Sequence, residues 1–354
     1  MAKLKDICDV DWGNTSLTKS AYIDDGEYLG VSAAGCDGRM DYYDFDAYTP
    51  VISAIGANCG KLFLPEEPFV AIKNTITLKP HDGLDGKYLY YALVNNRIPK
   101  RGGGQPFIGK GDTEEYEITV PDIGTQLEIV KRVEKICKII SYREREIDKL
   151  DELIKARFVE MFSDEKNMMK MSDICSIITD GTHQPPKFVT KGIPFIFVSN
   201  VVSNKITYDA EKFITQETYD ELIKRTPIEM GDVLLSTVGS YGHPAVVKSD
   251  EKFLFQRHIA YLKPKKDIIN SDYLHGALLS PDAQKQIEEG VKGIAQKTLN
   301  LSEIKKMTIP VPNLAKQKQF ADFEEQVDKS KVAVQKALNE TQTLFDSLMQ
   351  EFFG

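Results

Sequence analysis

The side chains of this sequence suited to contacting nucleic-acid edges or phosphates lie in a few short polar stretches. Asp180-Gly181-Thr182-His183-Gln184-Pro185-Pro186-Lys187 is rich in donors, with Thr182, His183, Gln184 and Lys187 as its candidates. In a major groove Gln reads adenine and Lys reads guanine; the alternative is a solvated turn. Gly239-Ser240-Tyr241-Gly242-His243 follows an apolar run. Its small residues would let the backbone approach DNA while Ser240, Tyr241 and His243 meet phosphate or base, or else it is a tight hairpin turn facing solvent. Its counterpart earlier in the chain is Gly56-Ala57-Asn58-Cys59-Gly60-Lys61, with Asn58 and Lys61 as the polar candidates. Arg257, in Gln256-Arg257-His258, could take guanine in a bidentate pair, clamp a phosphate or form a surface salt bridge; Lys73-Asn74 is its counterpart. The segment Lys100 to Gly111 is the most basic of the first part of the chain and offers Arg101, Gln105 and Lys110 to phosphate. Its equivalent, Gly293-Ile294-Ala295-Gln296-Lys297, contributes Gln296 and Lys297. For Gln105 and Gln296, DNA contact and a structural hydrogen bond both remain open.

Other chemistries are poorly supported. Gly104 to Gly111 nearly spells a phosphate-binding loop, but Gly111 stands where a Ser or Thr would hold magnesium and no strong strand precedes it. Pro185-Pro186 invites comparison with the Asn/Asp-Pro-Pro-aromatic motif of adenine methyltransferases, yet Gln184 and Lys187 occupy its flanks, which argues against methylation by this chain. The five His residues show no zinc-protease or zinc-finger spacing. Asp282, Glu303 and Lys305 only loosely imitate a nuclease carboxylate set. No catalytic residue and no metal ligand is therefore expected. Cys8, Cys36, Cys59, Cys137 and Cys175 show no paired spacing, and an odd count suits buried thiols in a reducing compartment.

Composition places the chain among soluble globular proteins, with 42% hydrophobic and 28% charged residues. Its 354 residues suit two or three domains. No apolar run is long enough to span a bilayer and the first residues lack a signal-peptide core, so the expected location is cytoplasmic, with no membrane partner. A net charge of −8 argues mildly against nucleic acid, although acidic helices can hide a local basic groove.

The elements that must position these loops announce themselves through periodicity. From Val120 to Ser163, Ile129, Val133, Ile136, Ile140, Ile147, Leu150, Ile154 and Met161 recur at alternating four- and three-residue steps, with Arg143 and Arg157 filling the two gaps. That is a coiled-coil seam. Forty helical residues make a rod of roughly 60 Å, which needs a partner helix. The partner lies at the far end of the chain, where Phe320, Val327, Val334, Leu338, Phe345, Leu348 and Phe352 form a seam interrupted by Glu324, Lys331 and Thr341. An antiparallel pairing that sets Ile129 against Phe352 also sets Arg157 against Glu324, and a charge pair is expected there.

The two rods belong to one unit written twice. Lys3 to Val10 returns as Lys170 to Ile177, Val51 to Gly56 as Val233 to Gly239, Tyr88 to Leu93 as Tyr273 to Leu278, and Ile118 to Pro121 as Ile309 to Pro312. From there the offset stays at 191, so that Gln126 falls on Gln317 and Ile136 on Val327. Rods of fixed length thus alternate with modules whose loops drift in length. Each module mixes helices, at Leu84 to Val94, Gln216 to Arg225 and Ser271 to Leu279, with a mostly antiparallel, curled sheet.

Two variable modules, each followed by a long helix of fixed length, resemble the specificity (S) subunit of type I restriction–modification enzymes. The likeness covers essentially the whole chain, and its landmarks are Gly231 to Gly242, Asp180-Gly181-Thr182-His183 and the Ile-Pro-Val-Pro with following Gln317 that enters the second rod. The resemblance implies an α+β fold: two similar α/β target recognition domains separated by two long antiparallel helices in a coiled coil, an internal pseudo-two-fold repeat. The divisions are 1–119 and 166–310 for the recognition domains, 120–165 and 311–354 for the spacer helices. It further implies a non-catalytic subunit that reads a split site in double-stranded DNA. Two methylation (M) subunits and, in the full complex, restriction (R) subunits would be its partners, and S-adenosylmethionine and ATP would sit only on them. The competing readings are a stand-alone nuclease or methyltransferase and a coiled-coil adaptor that binds protein alone.

Overall fold

A computed structural model describes residues 1–293 and 296–354; Ile294 and Ala295, part of one of the loops above, lie outside the described residues. The chain divides into two units, one made of 1–144 with 336–354 and the other of 145–335. Two helices of 40 residues, Ile123–Phe162 and Leu314–Phe353, each contribute one part to either unit.

The same topology is built in each unit. In the first, an antiparallel sheet runs Cys8–Trp12, Thr75–Pro80, Val51–Ser53, Leu62–Phe63; in the second, Cys175–Asp180, Ile259–Pro264, Val233–Ser236, Pro244–Val246 takes the same order. A three-stranded sheet follows: Gly35–Met40, Tyr28–Ser32, Phe69–Ala71 in the first unit, and Phe213–Ile214, Ile193–Ile196, Leu254–Phe255 in the second. In both, the central strand pairs in parallel on one side, Leu29 with Phe69 and Phe195 with Leu254. A four-stranded antiparallel sheet and a three-stranded sheet with one parallel pair, beside short two-stranded pairings, thus replace the single curled sheet expected of each module. Strands Cys8–Trp12 and Gly35–Met40 escape a hydrophobicity reading because Asp and Gly interrupt them; cross-strand partners supply what their own propensity lacks.

A helix with a side-chain cap packs on the four-stranded sheet of each unit. Gly86–Asn95 is capped by Asp85, and Ser271–Leu279 by Asn270. The second unit adds Pro281–Gly290, capped by Ser280, and a shorter Gln216–Leu222 with Thr215 as its cap.

One buried glutamine per unit locks its long helix to this framework. Gln126 accepts from the Asp85 amide at 2.8 Å and donates to the Gly83 and Pro121 carbonyls at 2.9 and 2.8 Å. Gln317 accepts from the Asn270 amide at 2.8 Å and donates to Ile268 and Pro312 at 3.0 and 2.8 Å. Both are fully buried. Tyr88 and Tyr273 reinforce the junction by donating to the carbonyls of Thr119 and Pro310.

Within each unit the two helix portions run antiparallel. Ile129, Val130 and Val133 share a core with Met349 and Phe353 in the first unit; Ile154, Phe158 and Phe162 share one with Phe320 and Val327 in the second. Phe158 meets Phe320 edge-on at 5.2 Å and 86°, and Phe162 meets Tyr273 edge-on at 5.1 Å and 86°. Gly276 makes room for this, since a Cβ there would sit 2.3 Å from the Phe320 ring. The remaining seam positions, Ile140, Ile147, Leu150, Val334, Leu338, Phe345, Leu348 and Phe352, are half-buried.

The polar interruptions of the seam find partners, though not all the expected ones. Arg143 donates to the Ala337 carbonyl and the Thr341 hydroxyl, and Lys331 reaches Asp151 at 2.5 Å. The charge pair expected between Arg157 and Glu324 is not made. Arg157 pairs with Glu160 at 2.7 Å and lies over the Phe323 ring, one residue from the expected partner. Glu324 turns to His275 at 2.7 Å, a residue of the module and not of the rod.

Replacing Gln317 by Ala leaves two carbonyls and one amide without partners and is expected to cost about 2–4 kcal/mol, since each stranded buried group costs one to a few kcal/mol. Gln317→Glu keeps the acceptor but sets a second carboxylate oxygen against two carbonyls, so it should cost at least as much. Urea unfolding of the three proteins checks the order, and a neutral Gln317→Ala would remove the clasp from the account.

Candidate nucleic-acid interface

In each unit backbone hydrogen bonds sew four loops into one patch, and the stitches are equivalent. In the first unit the Asn14 amide donates to Ala71, the Ala54 amide to Asn74, the Gly56 amide to Pro106 and the Ile108 amide to Ala54. In the second, Thr182 donates to Phe255, Thr237 to His258, Gly239 to Lys297 and Leu299 to Thr237. Gly13 and Gly181 are indispensable at one stitch. A Cβ on either would stand 2.5 Å or less from a backbone carbonyl oxygen of the facing strand, that of Ile72 or of Phe255.

The first patch encloses a cleft of about 300 Å³ where Asn58 and Lys73 meet Thr18, Lys19, Ser32 and Asn74. Asn74 holds the turn with φ of 70°, a conformation Asn tolerates better than most residues. Lys61 and Lys73 are exposed and have no ion-pair partner among the described residues. Two other sequence-predicted cations are already occupied: Arg101 pairs with Asp112, and Lys110 with Asp11 at 2.9 Å. Gln105 is exposed at the tip of a tight turn closed by reciprocal bonds between Arg101 and Phe107.

The second patch has two clefts. One, of about 430 Å³, gathers Arg257, His258, Gln296 and Asn300 beside Asp180. The other, of about 570 Å³, is lined by Thr182, His183, Gln184 and Lys187 against Lys224 and Arg225. Asp180 bridges them, bound to Arg225 at 2.5 Å and to His183 at 2.9 Å, which ties His183 to an acid. The loop from Gly239 divides its side chains. Ser240 is exposed, Tyr241 packs on the hydrophobic core with Lys297 above its ring at 5.9 Å, and His243 turns inward to Asn204 at 3.1 Å. Lys297 itself lies 3.7 Å from Glu288. Arg257, Lys187 and Gln184 remain exposed.

Lys19, Arg225 and Asn300 join these patches without having been singled out by sequence, and Asn74 does so beside Lys73, with which it was named. Asn14, at the first stitch, was missed as well, although extending the match of Lys3–Val10 onward with a slip of one residue brings Gly13-Asn14 onto Gly181-Thr182. A one-residue bulge between Cys175 and Ile177 shifts the register there. Among the described residues no three His, Cys, Asp or Glu side chains gather as a metal site, and no helix is long and apolar enough to cross a membrane. Glu303, of the loose carboxylate set, is paired with Lys306 at 3.1 Å. The expectation of buried thiols holds for Cys8, Cys59 and Cys175 but not for Cys36, which is exposed, or Cys137, which is half-buried; burial pushes the thiols of Cys8 and Cys175 up to about 12.

Comparison with known proteins agrees with this duplicated plan. The family model described as the type I restriction modification DNA specificity domain matches residues 1–152 and 163–342. The Type I restriction enzyme EcoBI specificity subunit of Escherichia coli is 28% identical over 174 residues, 49% of this chain and 36% of that protein. The MjaVIII specificity subunit of Methanocaldococcus jannaschii is 20% identical over 303 residues, 77% of this chain and 70% of that protein. The match thus spans about a third of the bacterial relative's length. Among solved structures, the S subunit of a type I restriction-modification system from M. genitalium superposes with a TM-score of 0.58 at 17% identity, over 100% of this chain and 95% of that one. A chain from work on complex assembly and conformational transition of the type I R-M system gives 0.59 at 15%, over 99% and 96%. At such identities these two speak for the fold.

Burial holds the His243 imidazole below the usual histidine range, and burial with neighbouring Arg257 does the same for His258. The unfolded chain takes up protons near pH 6.5 whereas these folded sites resist them. Their contribution is therefore fully present above about pH 6.5 and is lost as the pH falls through the depressed values. Thermal midpoints measured from about pH 7 down to about pH 5 should decline, and less steeply in His243→Asn/His258→Gln; an unchanged slope would acquit both residues.

Proposed function

Because the chain belongs to the type I restriction–modification DNA specificity family, we propose that each of its two modules reads one half of a bipartite site in double-stranded DNA. The observation that carries this reading is the equivalent patch in each unit, four loops joined by matching backbone bonds. A shared backbone with different side chains suits one docking mode applied to two different half-sequences. Lys61 and Lys73 in the first patch, and Arg257 and Lys187 in the second, are free to meet phosphates or guanine edges. Arg101 and Lys110 are already neutralised and belong to the framework of the first.

In this proposal the paired helices hold the two readers at a set spacing and dock two methylation subunits, with restriction subunits joining in the full complex. The chain itself supplies no chemistry. S-adenosylmethionine and ATP would be bound by the partners, and at a net charge of −8 much of the phosphate contact would come from them as well. The protein-only adaptor predicts no salt-dependent binding to duplex DNA, and the stand-alone enzyme predicts turnover by the purified chain.

Two experiments test the reading in the complex with methylation subunits. Arg257→Ala should cost about 1–3 kcal/mol at one base pair and relax the sequence preference there, as truncation of a bidentate contact does. Equal weakening on all sequences would instead make Arg257 a phosphate clamp. Adding seven residues to both long helices lengthens the rod by roughly 10 Å. That is about three base pairs at 3.4 Å each, so the methylated half-sites should move apart by about that much with both half-sequences unchanged. An unaltered spacing would defeat the ruler.

A further inference from the structure

The inward turn of His243 begins a chain of contacts that ends on the second long helix. His243 Nδ1 lies 3.1 Å from Asn204 Oδ1, and the Asn204 carbonyl lies 3.1 Å from His275 Nε2. His275 Nδ1 is in turn 2.7 Å from Glu324 Oε1. A parallel strap joins the same turn to the same helix, since Lys205 reaches Asp328 at 3.1 Å, one helical turn beyond Glu324. Glu324 is only 7% exposed, and its other oxygen has no hydrogen-bond partner. His275 is thus the group that holds this carboxylate. Asn204 sits at φ of 59°, a left-handed conformation that fixes where its side chain and carbonyl point.

Nothing equivalent exists in the first module. The repeat places Tyr90 where His275 stands and Val133 where Glu324 stands. Lys61, whose carbonyl accepts from Ser53 as that of His243 accepts from Ser236, is exposed. The relay is therefore a departure of the second module from the shared plan.

We propose that Glu324, His275 and Asn204 are positioning residues that set the Gly239–His243 loop from the second long helix, so that half-site reading by the second module, and not the first, depends on the state of that helix around 324–328. This rests on the reading of the loop as part of the DNA-contacting patch. His243 is then a strut for Gly239 and Ser240 and not a base contact. A chain of hydrogen-bonded side chains is one physical route by which two elements couple, and the distances above supply one between the loop and the helix.

Asn204→Gly is the cleanest cut: glycine accepts the left-handed backbone and keeps the carbonyl for His275 while the link to His243 is lost. Glu324→Leu cuts at the helix, and Glu324→Gln restores the contact, since an amide can donate to the imidazole nitrogen. The chain in complex with methylation subunits is assayed on duplexes with single substitutions in either half-site; Arg257→Ala identifies which half belongs to the second module. Asn204→Gly and Glu324→Leu should lower discrimination at that half by about tenfold, within what one base pair carries, leave the other half unchanged, and recover in Glu324→Gln. Equal loss at both halves, or no loss at either while site-specific binding persists, overturns the relay. A wild-type complex without site-specific binding overturns the proposed function and the relay with it.

Discussion

Two buried glutamines, Gln126 and Gln317, carry the constraint on which each unit depends. An amide side chain out of water must satisfy both its oxygen and its nitrogen. Each of these does so by bonding three backbone groups that belong to the start of the long helix and to the segment capping the module's own helix. The direction in which the helix leaves its module is thereby fixed by hydrogen bonds of defined geometry. Apolar packing around Val133 or Phe320 then adds stability to an orientation already chosen, because hydrophobic burial alone is non-directional.

Around this shared junction the two units diverge where difference is useful. The second unit adds the helices Gln216–Leu222 and Pro281–Gly290, and clefts of about 430 and 570 Å³ open in its patch. The aromatic cluster of Phe158, Phe162, Tyr273 and Phe320 has as its counterpart a smaller one of Tyr88 and Phe353. Position 276 shows the coupling between such changes: glycine there is required by the Phe320 ring, whereas in the first unit the equivalent Tyr91 is matched by Ile129 at the place of Phe320.

Acids neutralise part of the positive charge of each patch and leave part of it exposed. Asp112, Asp11 and Asp37 neutralise Arg101, Lys110 and Lys19, while Lys61, Lys73, Lys187 and Arg257 keep their charge toward solvent. A patch whose cations are partly tethered to acids holds those side chains in place.

The sequence by itself determined the duplication, the two helices and their seam, and the short loops that carry the polar candidates. These are linear properties: a period of three and four residues, an offset of 191, a cluster of Gly and polar side chains between apolar runs. Only the tertiary structure decided which candidates face outward. Arg101 and Lys110 found acids 11 and 99 residues away, His183 found Asp180, and Glu324 left the helix seam for His275, 49 residues distant. Tyr241 and His243 turned toward the interior while Ser240 between the glycines stayed out. The reason is physical. Periodicity is written in neighbouring residues, whereas the partner of a charged or buried polar atom is whichever group folding brings within about 3 Å, and here Asp11, Asp112, Asp180 and His275 all come from strands or helices beside the loops.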